Sequence, residues 1–303
     1  MVDVLQYKSP GTQHLANGWD FVPTLHNDTY DFISPGKLDL KDRAVLITGA
    51  SKGIGYETAL SFARAGASQI AIGARSSLAT LEKDIATAAQ QAGRPPPQIL
   101  AFQMDVTDYP SVASAASKLE HAFGRLDILI NNAGACEPFR PILDSDPEEW
   151  THTWRVNVFG TYHVTRAFLP LLLKTRQGQK QILTLTSIGA TVVLPGGSGY
   201  NTSKLALARF GEAIGAEYPE ILSYSVHPGG VATELASGLP EALQPLLTDS
   251  PRLAGDTLAW LTAERRGFLQ GRYVSVTWDM GELVGKRGKI EGEDLLRMRM
   301  RVD

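Results

Sequence analysis

Cysteine occurs only once in the 303 residues, at Cys136, so no disulfide can form within the chain and its stability must come from a packed core. Histidine is scarce too: the six are scattered without the spacing of a zinc site, which leaves metal chemistry without a ligand set. Long hydrophobic runs are missing. The longest, AFLPLLL at 167–173, falls far short of the ~20 residues that span a bilayer. The opening MVDVLQYKSPG carries an early acid and no apolar stretch, unlike a secretory signal. Charge of one sign is lacking as well, with a formal net charge of −3, so nothing draws the chain to nucleic acid or to an anionic membrane. The short basic cluster GKRGK (285–289) reads as solvated surface. These lacks predict a cytoplasmic protein in a reducing compartment, with a small molecule as its partner and no bound metal.

Hydrophobic residues make up 43% of the chain and charged residues 20%, the balance of one soluble domain with a substantial core. From about residue 43, short apolar runs alternate with longer stretches of helical spacing. The runs are AVLIT, QIAIGA, QILAFQM, LDILIN, QILTLTS, SYSVH and YVSVT. They are continuous rather than alternating in hydrophobicity, as in strands covered on both faces. The pattern predicts an α/β fold: a single doubly wound Rossmann-type domain, 41–280, with a seven-stranded parallel sheet flanked by helices. Residues 1–40 break the rhythm with Pro, Gly, Asn and Asp and with Trp19, Phe21, Tyr30 and Phe32, as an arm laid over the surface would. A C-terminal tail occupies 281–303 and could pack on a partner or cover the pocket. Residues 229–250, dense in Gly, Pro and Ser, predict a lid or binding loop.

LITGASKGIG (46–55) runs from an apolar strand into a helix through Gly49, Gly53 and Gly55, with Ser51, Lys52 and Ile54 between and beside them. Side chains at the glycines would keep the backbone from a pyrophosphate, and a helix N-terminus supplies N–H donors to it. The spacing G-x-x-x-G-x-G departs from the G-x-G-x-x-G of many dinucleotide sites. An NAD site usually has an acid at the end of the second strand; IAIGARSS has Arg75 instead. Arg75 and Lys52 suit a 2′-phosphate, so the expected cofactor is NADP(H).

With TGASKGIG (48–55), DV (105–106), NNAG (131–134), VNVFG around Asn157, Ser187 thirteen residues before Tyr200, YNTSK (200–204) and PGGVAT (228–233), the chain resembles the short-chain dehydrogenase/reductase family over about 40–280. The resemblance implies a catalytic tetrad of Ser187, Tyr200, Lys204 and Asn157. It implies cofactor contacts from Asp105 and Val106 near the adenine, from Asn131, Asn132 and Gly134 after the fourth strand, from Tyr200 and Lys204, and from Pro228, Gly229, Val231 and Thr233 at the nicotinamide end. Tyr200 would be the proton donor or base. Lys204, one helical turn on, is expected to lower its pKa, Ser187 to hold the substrate oxygen, and Asn157 to place a water on Lys204. The expected reaction is hydride transfer between nicotinamide and a neutral, moderately hydrophobic carbonyl or alcohol.

The substrate pocket is expected from 136–140, 188–194 and 233–247, with Phe139, Val193, Leu194 and Leu235 as apolar walls and Arg140 and Glu234 as nearby charges. Cys136 reads as a pocket-lining or buried thiol rather than a nucleophile. The resemblance further implies a homodimer or homotetramer, paired through the helices around VNVFG and YNTSK. The arm and the tail look similar to those of fungal members, including members of secondary metabolism. Two alternatives remain: non-redox chemistry such as dehydration or cyclisation on the same scaffold, and an NADP(H)-binding regulator.

Overall fold

Ala44–Thr48 (β1) is wholly buried along its length, as its unbroken apolar run requires, because parallel strands are covered on both faces. In the computed structural model, which describes residues 18–300, β1 is an interior strand of a seven-stranded parallel sheet. The others are Gln69–Ala74 (β2), Gln98–Gln103 (β3), Ile128–Asn131 (β4), Gln181–Leu185 (β5), Leu222–His227 (β6) and Arg272–Ser275 (β7). The order is β3-β2-β1-β4-β5-β6-β7, with Ile47 level with Ile72 on one side and Ile130 on the other.

Seven helices connect or follow these strands: Gly53–Arg64 (α1), Ala79–Gln91 (α2), Tyr109–Phe123 (α3), Pro147–Trp154 (α4), Thr161–Lys174 (α5), Ser198–Glu217 (α6) and Pro251–Ala263 (α7). Their buried faces form two cores, one on each side of the sheet. One gathers Phe62, Ile85, Leu253 and Leu258, the other Val112, Leu119, Val164 and Phe168. Chain order reverses between β1 and β4, which opens a crevice beyond their carboxyl ends, the place where such sheets bind ligands.

The described part of the arm lies along the β7 edge. Leu25 bridges to Trp278, His26 N donates to Thr277 O at 2.7 Å, and Thr29 Oγ1 donates to the buried Asp256 of α7. Trp278 is fully buried, and its indole N–H is shared between Gly18 O (3.1 Å) and Trp19 O (3.2 Å). After β7 the chain forms Met280–Gly285 (α8) and Arg287–Gly292 (α9), whose Leu283 and Ile290 are fully buried in the first core. The following residues run against β7 and α6: Tyr273 N donates to Leu296 O, and Glu212 of α6 pairs with Arg297 and Arg299. The described tail therefore covers the far sheet edge rather than the pocket. Residues 1–17 and 301–303 of the arm and tail lie outside the described residues.

Candidate active site

Between β1 and α1 the chain turns through Gly49, at φ +65°, a conformation that side-chain-bearing residues avoid. A Cβ on Gly49 would meet Ala133 Cα at 2.8 Å, and one on Gly55 would meet Gly49 O at 2.6 Å. The turn thus packs directly on the loop after β4, where Asn132 Nδ2 donates to Thr48 O at 2.8 Å. Lys52 begins α1 with no side-chain cap, which leaves the first N–H groups of the helix for a ligand. They face a cavity of about 710 Å³, lined by Ser51, Gly53, Ile54, Arg75, Asp105 and Asn132 among others. That size holds a large cofactor, and the uncapped helix with its bare glycine turn is the shape a pyrophosphate needs.

Ser51, Lys52, Ile54, Arg75, Asp105, Val106, Gly134, Pro228, Val231 and Thr233 all line this cavity. Three expected residues stand differently. Asn131 turns its side chain into the protein, where Nδ2 donates to Thr165 Oγ1 at 3.1 Å, because it still belongs to β4 and points between sheet and α5. Gly229 lines the neighbouring chamber, packed on Asp249, rather than the large cavity. Lys52 is ion-paired with Glu234 from across the cavity mouth. Burial would push the Asp105 carboxyl up, yet hydrogen bonds from Thr107 N and Oγ1 and the charge of Arg75 outweigh it and hold the group below its ordinary value.

Of the four residues expected to act together, Tyr200 and Lys204 line this cavity, and Ser187 and Asn157 stand beside them. Tyr200 and Lys204 share a face of α6, as four-residue spacing dictates, with Lys204 Nζ 5.5 Å from the centre of the Tyr200 ring. Gly197, where α6 begins, has no side chain to cap it. The buried Glu137, from the loop after β4, accepts from Tyr200 N at 2.8 Å instead and fixes the first turn. Lys204 Nζ donates to Leu185 O at 2.9 Å, and burial brings its pKa down to about 8. Ser187, two residues past β5, accepts from Gly189 N at 3.1 Å and lies within hydrogen-bond reach of the Tyr200 hydroxyl.

One expectation is corrected here. The Tyr200 phenol is not lowered: burial raises it, with Cys136 and Glu137 adding to the rise, and the Ser187 hydrogen bond only partly offsets it. Asn157 sits in a stretch of π-helix, Arg155–Gly160. Oδ1 accepts from Ala135 N at 2.8 Å, and Nδ2 donates to Ala135 O and to Ser203 Oγ, each at 2.9 Å. The side chain ties the loop after β4 to α6, and Oδ1, with a second lone pair, flanks the same point beside Gly134 as Lys204 Nζ.

Beyond Tyr200 and Ser187 opens a second chamber of about 180 Å³. Phe139, Val192, Leu194, Leu235, Leu239, Leu243, Leu246 and Leu247 make it apolar, and they come from the three stretches expected. Two short 3-10 turns, Glu234–Gly238 and Glu241–Leu246, replace open loop here and supply three of the six leucines, Leu235, Leu243 and Leu246. Arg140 and Val193 are not lining residues; Val193 is 85% exposed. Cys136 lines the chamber with its thiol pushed up to about 12 by burial, so it is no nucleophile at neutral pH. The sequence reading missed Trp19, Glu137 and His227. Trp19 and His227 line this chamber, and no local motif marks any of the three. Among the described residues no group of His, Cys, Asp and Glu could hold a metal, and no helix is long and apolar enough to cross a membrane.

Comparison with known proteins agrees with this geometry. The chain is 49% identical over 285 residues to the short chain dehydrogenase mpl6 of Monascus purpureus, covering 93% of this chain and 97% of that one. A short chain dehydrogenase of Shigella flexneri complexed with NADP superimposes with a TM-score of 0.69 at 27% identity, over 79% of this chain and 99% of the other. Carveol dehydrogenase of Mycobacterium avium in complex with NAD shares the fold, with a TM-score of 0.69 at 21% identity over 82% and 100%. Residues 43–244 match the profile of the short chain dehydrogenases, a span that holds the glycine turn, the four expected catalytic residues and most of the leucine-walled chamber, and on that ground the chain belongs to the short-chain dehydrogenase/reductase family, alongside fungal members.

Proposed function

We propose that this protein is an NADP(H)-dependent oxidoreductase that interconverts a neutral, moderately hydrophobic ketone and its alcohol, with a place in fungal secondary metabolism. The carrying observation is the junction of the two cavities: Tyr200 lines both the dinucleotide cavity and the leucine-walled chamber. A substrate carbonyl in the chamber meets the phenol there, and the nicotinamide, held by Thr186, Pro228, Val231 and Thr233, would supply or accept the hydride. Burial keeps Tyr200 protonated at neutral pH, the form that donates a proton to a developing alkoxide. Ser187 hydrogen-bonds the same oxygen and orients it. Lys204 is still mostly protonated at pH 7 and keeps a positive charge beneath the site. Asn157 and Glu137 hold the loop and the helix that carry these groups.

The cofactor preference rests on Arg75, which follows β2 and lines the dinucleotide cavity where an NAD-selective site would have an acid. Lys52 contributes less than its position in the glycine turn suggests, because Glu234 engages it. The apolar chamber speaks for a neutral substrate, and the assembled Tyr200, Ser187 and Lys204 speak for redox chemistry over dehydration or a purely regulatory role. A cytoplasmic location fits the single unpaired cysteine.

The test is isotope transfer. The protein is incubated with NADPH deuterated at the transferable position and an extract of the producing cells, beside Tyr200→Phe, and metabolites gaining one deuterium are sought by mass spectrometry. Label should appear with the wild type, while Tyr200→Phe should bind NADPH normally and transfer label about 10²- to 10⁴-fold more slowly. Transfer within a few-fold of the wild type would remove Tyr200 as the proton donor.

A further inference from the structure

His227 ends β6 and lines the substrate chamber, yet only 4% of it is exposed. Its Nδ1 accepts a hydrogen bond from Ile188 N at 3.2 Å. A backbone N–H always donates, so Nδ1 is unprotonated and the proton of the neutral ring lies on Nε2. Burial drives the ring pKa down to about 3, and the imidazole is uncharged at any physiological pH. Nε2 is buried and has no partner. Buried donors are nearly always matched, so an orphan in the wall of a binding chamber points to a ligand.

The surroundings narrow the reading. Two buried side-chain atoms in the chamber lining lack a partner, His227 Nε2 and Asn201 Oδ1, and only the first carries a proton to give. Thr233 Oγ1 accepts from Ala236 N, and the Cys136 thiol donates to Glu137 O. Ile188, which fixes the imidazole, directly follows Ser187, so the ring stands on the Ser187 side of the chamber rather than at the far leucine wall.

We infer that His227 Nε2–H is a substrate-recognising donor that binds a second oxygen acceptor of the substrate, close to the carbonyl being reduced. The substrate class is therefore an apolar ketone or alcohol with a neighbouring ether, oxo or hydroxyl oxygen. This rests on the reading of the chamber as a substrate site. A chamber that hydrogen-bonds an oxygen discriminates strongly against an isostere lacking it, because the buried donor is then left unmatched.

Ortho-methoxyacetophenone and ortho-ethylacetophenone have the same shape and differ in one oxygen. Their dissociation constants on the NADPH-loaded protein, and their rates of reduction, give the preference. The wild type should favour the methoxy compound at least about tenfold, and His227→Phe should bring the ratio to about one while still binding the ethyl compound. A spectrum of wild-type protein with ¹⁵N-labelled histidine needs no variant to fold: it should show the Nε2–H tautomer, with the Nε2 signal moved by the methoxy compound and not by the ethyl one. Equal binding of the pair, failure to bind the methoxy compound, or an unmoved Nε2 signal would overturn the role of His227. A binding preference without reduction of either compound, together with no deuterium transfer in cell extract, would instead overturn the redox reading and leave the recognition role standing.

Discussion

Arg75 and Lys204 are two cations whose tasks are read from what surrounds them. Arg75 lines the mouth of the dinucleotide cavity, close enough to Asp105 to lower that carboxyl, and retains a guanidinium for a phosphate. Arg75→Ala should weaken NADPH binding about tenfold or more and leave NADH binding nearly unchanged, as measured by titration of protein fluorescence. Adding Lys52→Ala should contribute little further, since Glu234 already engages that lysine. Equal losses for the two cofactors would contradict the assignment. Lys204 is different because it is buried. Its folded-state pKa of about 8 lies below the ordinary 10.5, so between these values the unfolded chain holds a proton that the folded chain has released. Stability attributable to this group therefore rises with pH across that window, and the penalty, about 3 kcal/mol, is fully present below pH 8. Lys204→Met should lose turnover, and any stability advantage it has over the wild type at pH 7 should shrink by about that amount by pH 10.5 in urea unfolding. A constant gap across the range would mean that the lysine is not desolvated. Spacing made the shared face of Tyr200 and Lys204 legible, since four-residue separation on a helix is geometry. Desolvation was not legible: the fate of the Tyr200 proton depends on burial by the folded chain and, beside it, on the charges of residues far away in sequence, Cys136 and Glu137.

Strands and the helices between them could be read from the sequence because each continuous apolar run is a strand covered on both faces, and each glycine turn sits where such a strand ends. The 229–250 stretch and the arm were harder, because short 3-10 turns and extended segments have no period long enough to recognise. Their course is set by tertiary contacts. For the arm, the decisive contact is Trp278, whose indole N–H holds the carbonyls of Gly18 and Trp19 while Trp19 lines the substrate chamber. Trp278→Phe keeps much of the packing and deletes the donor. It should raise the KM for the substrate several-fold, leave the Kd for NADPH unchanged, and lower Tm by a few degrees. A rise in the NADPH constant of the same size would show that the arm supports the whole domain rather than the chamber.

At the scale of the whole molecule, Phe159, Tyr162 and Leu205 stand 53%, 45% and 43% exposed on the π-helical stretch, on α5 after it, and on α6. Large apolar side chains exposed on two helices are the material of an interface, and we propose that the protein pairs through them as a homodimer or homotetramer. Phe159→Glu combined with Leu205→Glu should reduce the mass found by light scattering to that of one chain. A single-chain mass for the wild type would remove the proposal.

The two cavities draw on different parts of the chain. The glycine turn and the ends of β1, β2 and β4 enclose the dinucleotide side. Trp19 and the short turns of 234–246 close the substrate side, and Trp278 near the other end of the chain clamps the segment that carries Trp19. A change in the arm or in the 234–246 turns therefore reshapes the leucine-walled chamber while the strand ends beside the larger cavity keep their place.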